Sequence, residues 1–414
     1  MIKVCDAIMG TGKSSAAINF MNEHKKDKFI YITPYLEEVE RIKNSCPDLW
    51  FVEPSNKIEK YDYRKGEHTA ALIEQGRNIA TTHQAFKSYT PEMLNNIREQ
   101  GYRLIIDENV DVLEKYDFHP DDMQIALNSG LVSKIGDTYY LVDEDYNGRF
   151  YRELVQFLKV RQLIQIEDSS GIHLFYWLLP PELVTAFKDV IILTYIFEGQ
   201  SLHHFLEMYG LPYDYIGIQK DESGQYHFCE CPGYTPEYVS KLKDMIHILD
   251  NDKLNAIGDD IHALSMSWFD KNRKNPEELK KNVYNCINNI WRDAPASEKM
   301  WGTYNDCRNK VSGKGYTKSF IRFNMKATNQ YRNKHYMIYL VNLFMNVSDK
   351  IFYNQHGIEV DDSLYALSIM VQWIWRSAIR DGDEIYLYIP SRRMRNLLTD
   401  WINKVSERGN VLAS

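Results

Sequence analysis

Ten residues near the start of the chain, Asp6-Ala7-Ile8-Met9-Gly10-Thr11-Gly12-Lys13-Ser14-Ser15, constrain the fold more than any other segment. The apolar run Ile2–Met9 before them reads as a strand, and Lys13–Glu23 after them reads as a helix. A glycine-rich turn between strand and helix aims backbone N–H groups into one concavity. Gly10 and Gly12 allow that path without a Cβ clash, and the helix N-terminus adds partial positive charge. Gly10, Thr11, Gly12, Lys13, Ser14 and Ser15 are therefore candidate phosphate-binding residues. Lys13 is expected to reach the outer phosphates, and the Ser14 hydroxyl to face Mg²⁺.

This strand is the first of a series. Strands are expected at Phe29–Thr33, Trp50–Glu53, Asn78–Thr82, Arg103–Asp107 and Asp189–Thr194. Helices are expected at Leu36–Asn44, Thr69–Glu74, Pro91–Glu99 and Ser201–Tyr209. Continuous apolar strands alternating with helices imply a parallel sheet covered on both faces. The rhythm breaks between Leu113 and Leu183, which reads as an insertion. A second series follows Leu211, with strands expected at Ala263–Trp268, Phe320–Asn324 and Glu384–Pro390. Its helices are expected at Pro276–Trp291, Tyr336–Met345, Ser363–Ile379 and Arg393–Val405. The expected organisation is a first domain of residues 1–112 and 184–210, an inserted subdomain at 113–183, and a second domain at 211–414. A length of 414 residues accommodates two such domains and an insertion.

The strand Leu104-Ile105-Ile106 ends in Asp107-Glu108. At the carboxyl end of a parallel strand, two acids are expected to lie over the phosphate loop. Asp107 then holds Mg²⁺, and Glu108 orients and deprotonates an attacking water.

With both motifs in place, the chain resembles the superfamily-two helicases, the DEAD/DEAH-like class, along nearly its whole length. Ala7, where the common phosphate loop has its first glycine, matches the helicase form of that motif. The resemblance implies an α/β fold of two RecA-like P-loop domains with parallel sheets. It also implies ATP and Mg²⁺ as cofactors, and single-stranded or forked nucleic acid as partner, DNA favoured over RNA. Thr33 and Pro34, within Ile32–Leu36, resemble motif Ia. Thr82 and His83 resemble the next strand-end motif. All four are then expected to touch a nucleic-acid backbone. Leu193-Thr194-Tyr195 takes the place of motif III. Lys326, Thr328 and Asn329 lie in a motif V-like stretch. Gln372–Arg380 resembles motif VI, so Gln372, Arg376 and Arg380 are expected near the γ-phosphate, one arginine acting as finger. Trp375 stands where that motif carries glycine, and its second arginine is four residues on rather than three. Compact size and style are similar to helicases of phage and mobile-element genomes.

Composition qualifies the nucleic-acid reading. The net charge is −8, which argues against a simple DNA-coating protein. The charge is unevenly spread, however. Residues 1–200 hold 22 basic and 31 acidic side chains, whereas residues 201–414 hold 27 and 26. Between Asp306 and Asp349 no acid occurs, while Arg308, Lys310, Lys314, Lys318, Arg322, Lys326, Arg332 and Lys334 alternate with Tyr316, Phe320, Phe323 and Tyr331. Cations track phosphates and aromatics stack on bases, so this segment, with Lys314 in a Gly-Lys-Gly loop, is the expected nucleic-acid surface. Arg392, Arg393 and Arg395 read as a solvated turn.

Other readings fare less well. A packaging-type motor requires a metal-binding acidic cluster in the second half. A small-molecule kinase is typically half this length. A nucleotide-gated clamp or loader without unwinding remains compatible with the motifs, and the insertion suits the docking of a replication partner. Six scattered cysteines suit a reducing cytoplasm, and Cys229, Cys231 and His227 do not have zinc-knuckle spacing. No apolar run reaches the ~18 residues of a membrane span. No signal peptide is evident, so the protein is expected in the cytoplasm.

Overall fold

The computed structural model describes residues 1–408 except 62, 144, 147, 150, 160–161, 168–172, 272–273 and 325–329. It is a mixed α/β protein with two compact units. Met1–Ala7, Gly12–Gly233 and Asn346–Val360 form the first, and Ile8–Thr11, Tyr234–Met345 and Asp361–Ser414 group as the second.

The first unit is organised by a seven-stranded sheet. Its strands are β1 (Ile2–Asp6), β2 (Phe29–Thr33), β3 (Ile79–Thr82), β4 (Arg103–Asp107), β10 (Asp189–Thr194), β11 (Tyr213–Lys220) and β12 (Tyr226–Glu230), in the order β12-β11-β1-β10-β4-β2-β3. All pairings are parallel except β11 with β12. The five residues of β2 are all buried, as are the last four of β4 and the last five of β10. This accounts for their uninterrupted apolar sequence. Because β10 pairs with both β1 and β4, the ends of the phosphate-loop strand and the acidic strand flank a single neighbour.

Local signals set the helix ends. The Pro91–Gln100 helix starts with Thr90 accepting from the Met93 N–H and Pro91 in the first turn, and it stops at Gly101, which is left-handed.

Two expectations shift. Trp50–Glu53 forms a single bridge, Val52 to Ile79, rather than a strand. The boundary expected at 211 falls early, because β11 pairs with β1 and β12 with β11. The irregular stretch resolves as a five-stranded antiparallel sheet of β5 (Leu113–Tyr116), β6 (Val132–Ile135), β7 (Thr138–Leu141), β8 (Gln162–Glu167) and β9 (His173–Leu178), ordered β5-β9-β8-β7-β6. Met123, Ala126, Leu131, Tyr139, Leu154, Leu163 and Phe175 form its own core.

The second unit carries a four-stranded parallel sheet, ordered β13-β16-β15-β14, from β13 (Ile246–Ile248), β14 (Lys299–Gly302), β15 (Tyr336–Tyr339) and β16 (Ile385–Tyr388). Only β16 coincides with an expected strand. Tyr336–Tyr339, expected to open a helix, is a buried strand, as its β-favouring Tyr-Met-Ile-Tyr composition permits. Ala263–Trp268 turns into a short helix instead of a strand, and Phe320 makes one bridge to Trp301. Among the described residues no helix is long and apolar enough to cross a membrane.

Candidate nucleotide site and nucleic-acid surface

The loop after β1 has the backbone expected of a phosphate cradle. Gly10 and Gly12 have φ of 84° and 92°, both left-handed. A Cβ on Gly12 would lie 2.5 Å from the Tyr226 ring, so conformation and packing both exclude any other residue there. The loop stiffens itself, since Thr11 is fully buried and its hydroxyl donates to the Ile8 carbonyl at 2.8 Å. The Ala7 N–H bonds the Thr194 carbonyl at 3.1 Å, which ties the loop to β10. Ser14 and Ser15 sit half-buried in the first turn of the Lys13–Glu23 helix. The Lys13 ammonium donates to the Ala7 carbonyl. Although the residue as a whole is half-buried, its charged end is enclosed. Burial holds its pKa below the ordinary lysine range, opposed by Cys5, Asp6, Asp107 and Glu108.

Lys13 therefore lies in the field of the acidic pair, as the two motifs require. Asp107 is buried, and its Oδ2 accepts from the Tyr31 hydroxyl at 2.9 Å. Its pKa is pushed up to about 7, first by burial and then by Glu108, against the lowering effects of Tyr31 and Lys13. A carboxylate so placed gains most from a nearby cation. Glu108 follows with φ 64°, an uncommon conformation for a non-glycine residue, while its N–H is held by the Leu193 carbonyl at 3.0 Å. The chain thus kinks between the two acids, and Glu108 remains half-exposed. Oxygen donors at Asp107 and Ser14, a lysine and a glycine-lined loop make a donor set suited to Mg²⁺ with a polyphosphate.

Further residues brace the site. The Asp6 carboxylate accepts from the N–H groups of Ile196 and Phe197, at 2.8 and 2.9 Å, fixing the turn after β10. Burial raises its pKa despite these bonds. Thr194 bonds Gln200 at 2.6 Å, and Gln200 returns to the Tyr195 carbonyl at 2.8 Å. Asn109, next to Glu108, bonds the Ser201 hydroxyl at 3.3 Å. Asp6 and Thr194 stand in segments that the sequence marked, whereas Asn109, Gln200 and Ser201 carried no signal in it.

The expected strand-end contacts divide. Thr33 is fully buried at the end of β2. His83 is also buried, with Nε2 2.9 Å from the Asp107 carbonyl oxygen, so it braces the acidic strand instead of facing solvent. Pro34 and Thr82 are half-buried, and Thr82 caps the short His83–Phe86 helix.

In the second unit, the helix bearing Gln372 spans Asp362–Ile374, shorter than expected. Arg376 follows it and is buried, whereas Arg380 is half-buried in a separate Ala378–Asp381 turn. The two arginines therefore do not share a helix. In the acid-free segment Lys314, Lys318 and Arg322 are exposed. Lys310 pairs with Asp270 and Arg332 with Asp381, so those two charges are engaged within the unit. Tyr316 is core: it is buried, and its hydroxyl donates to the Val311 carbonyl. Arg308 lies over the Phe320 ring at 4.7 Å. Lys326, Thr328 and Asn329 lie outside the described residues. Arg393 is no solvated turn, for it donates to Asn342 Oδ1 and to the carbonyls of Leu343 and Asp362, at 2.7–3.0 Å. Arg395 bonds the Ile389 carbonyl at 2.8 Å.

A family described as the YonV C-terminal Rossmann-like domain matches residues 240–402. The SPbeta prophage-derived uncharacterized protein YonV of Bacillus subtilis (strain 168) is 35% identical over 410 residues, covering 97% of this chain and 98% of that protein. Among solved structures, Xpd4 of S. tokodaii aligns with a TM-score of 0.47 at 12% identity, over 97% of this chain and 94% of that one. A DEAD box protein from the hyperthermophile Methanococcus jannaschii aligns with a TM-score of 0.30 at 12% identity, over 98% and 86%.

Proposed function

The chain belongs to the YonV family, and for it we propose a nucleic-acid-stimulated ATP hydrolase of helicase or translocase type. The observation that carries the reading is the convergence of Lys13, Asp107 and Glu108 at neighbouring strand ends beside a glycine loop with two left-handed residues. Backbone N–H groups of Gly10–Ser15 cradle the phosphates, and Lys13 leaves the Ala7 carbonyl to pair with the outer ones. Ser14 and Asp107 hold Mg²⁺, which when bound offsets the charge that builds on the transferred phosphoryl oxygens. Glu108 orients water in line and accepts its proton. Gln372 and either Arg376 or Arg380 complete the γ-phosphate contacts, one arginine acting as finger.

Lys314, Lys318, Arg322, Pro34 and Thr82 supply the nucleic-acid contacts, joined by Lys326, Thr328 and Asn329. Exposed cations on an otherwise acidic protein favour an anionic partner at that patch. The prophage source of YonV fits a role in phage DNA replication or recombination within the host cytoplasm.

The test is steady-state ATP hydrolysis against single-stranded, duplex and forked DNA and RNA. The reading expects stimulation by at least one single-stranded or forked species. ATP turnover that no nucleic acid changes supports a nucleotide-gated clamp or loader, and absence of turnover refutes the enzyme.

A further inference from the structure

Outside the nucleotide site, one helix gathers a donor set that the proposed ATP chemistry does not use. The Ser201–Met208 helix, which follows β10 after the Phe197–Gly199 turn, carries His203, His204 and Glu207. The two imidazole Nδ1 atoms lie 3.4 Å apart. Glu207 Oε2 lies 3.5 Å from the His203 Nδ1 and 4.0 Å from the His204 Nδ1. Three ligands at ~2.0–2.1 Å from a tetrahedral ion stand about 3.3–3.4 Å from one another. The imidazole pair already meets this spacing, and a small rotation of the exposed Glu207 brings the carboxylate to it. We propose that His203, His204 and Glu207 form a binding site for a zinc-class divalent transition metal.

Aromatic rings wall the two imidazoles. Phe197 meets the His203 ring edge-on at 5.4 Å, Tyr213 flanks it at 6.1 Å, and Tyr353 lies 5.2 Å from the His204 ring. His204 is 2% exposed, and its Nε2 meets no hydrogen-bond partner among the described residues. The ring is therefore oriented by its Nδ1 side, toward His203 and Glu207. Two nitrogens and one carboxylate oxygen suit Zn²⁺, Co²⁺ or Ni²⁺, whereas Ca²⁺ and Mg²⁺ require more oxygen donors. Glu198 also acts electrostatically on His203, and water can fill an open position.

The helix is also part of the support of the nucleotide site. Ser201 bonds Asn109, beside Glu108, and the preceding Gln200 bonds Thr194. A metal that fixes this helix holds those contacts in register. The site itself stands independently of the ATP reading.

The experiment is a Co²⁺ titration of the full chain, stripped with chelator, in an Asp107→Asn background so that the candidate Mg²⁺ site does not contribute. The proposal expects one Co²⁺ per chain, the visible bands of a tetrahedral nitrogen–oxygen site, and displacement by Zn²⁺. Glu207→Gln, an exposed substitution that leaves folding intact, is expected to weaken Co²⁺ binding at least about tenfold. His203→Ala and His204→Ala are expected to abolish it, with circular dichroism checking their fold. No Co²⁺ uptake overturns the proposal. So does uptake that Glu207→Gln leaves unchanged, or a thiolate-to-cobalt charge-transfer band, which assigns the ion to cysteine.

Discussion

The phosphate end of the first unit and the arginine-bearing end of the second use charge in opposite ways. In the first, a few charged groups converge where the backbone bends: Glu108 and Ile196 have positive φ just after the ends of β4 and β10. In the second, arginines are spread through the fold and several serve it internally. Arg393 stitches three main-chain or side-chain oxygens together, and Arg332 pairs with Asp381. Basic residues in a sequence therefore do not add up to a nucleic-acid surface. In the second unit the count splits between structural ties and an exposed set of Lys314, Lys318 and Arg322.

The largest effect expected from this contrast is at Lys13. Lys13→Ala removes the expected phosphate contact, and ATP turnover is expected to fall by more than about 10³-fold while circular dichroism stays unchanged. Next come the two arginines. Replacing the finger with alanine is expected to slow hydrolysis about 10³-fold while nucleotide affinity, read by fluorescent-ATP titration, changes little. Replacing the other is expected to act on stability. Arg376, being buried, is the one whose loss lowers Tm if its role is internal. Equal and small effects from both would break the comparison, because neither arginine would then reach the nucleotide.

A smaller effect is expected at the exposed cations. The triple variant Lys314→Ala, Lys318→Ala, Arg322→Ala is expected to lower the slope of log affinity against log salt by up to about 3 for single-stranded DNA. Basal ATP turnover is expected to persist. Arg393→Ala, by contrast, is expected to lower Tm without a specific change in that slope.

The smallest effect on stability concerns Asp107, and its sign is definite. Its folded-state pKa is about 7, above the ordinary aspartate value. Between those values the folded protein binds a proton that the unfolded chain does not, so nucleotide-free stability declines as pH rises through that window. Asp107→Asn is expected to flatten this decline and raise Tm at pH 8 by at least about 2 °C, while abolishing turnover. The same titration predicts that kcat/KM of the wild type falls below about pH 7, where the carboxyl is protonated. A Tm for Asp107→Asn that is lower than wild type at pH 8 contradicts the assignment.

Much of the first unit was legible because its central strands β2, β4 and β10 are buried almost throughout. Gly-Thr-Gly-Lys-Ser announces a phosphate turn, and Asp107-Glu108 closes an apolar strand. Tertiary partners were not legible. Nothing in Phe29–Thr33 tells Tyr31, which holds Asp107, from a core tyrosine. Nor does Thr81-Thr82-His83 say that the histidine turns inward. The second unit was read less well because its strands have only three or four residues. At that length Tyr336–Tyr339 is compatible with helix or strand until β14 and β16 flank it. The boundary at 211 was missed because β11 and the edge strand β12 carry mixed polarity, Tyr-Asp-Tyr-Ile-Gly-Ile-Gln-Lys and Tyr-His-Phe-Cys-Glu.

The central claim is that Lys13, Asp107 and Glu108 form one ATP-hydrolysing site answering to nucleic acid. The most direct measurement is Mg²⁺-dependent phosphate release by wild type and Glu108→Gln, each with and without single-stranded DNA. The account predicts DNA-stimulated release by wild type, and ATP binding without release by Glu108→Gln under either condition. Release by Glu108→Gln at the wild-type rate would contradict it.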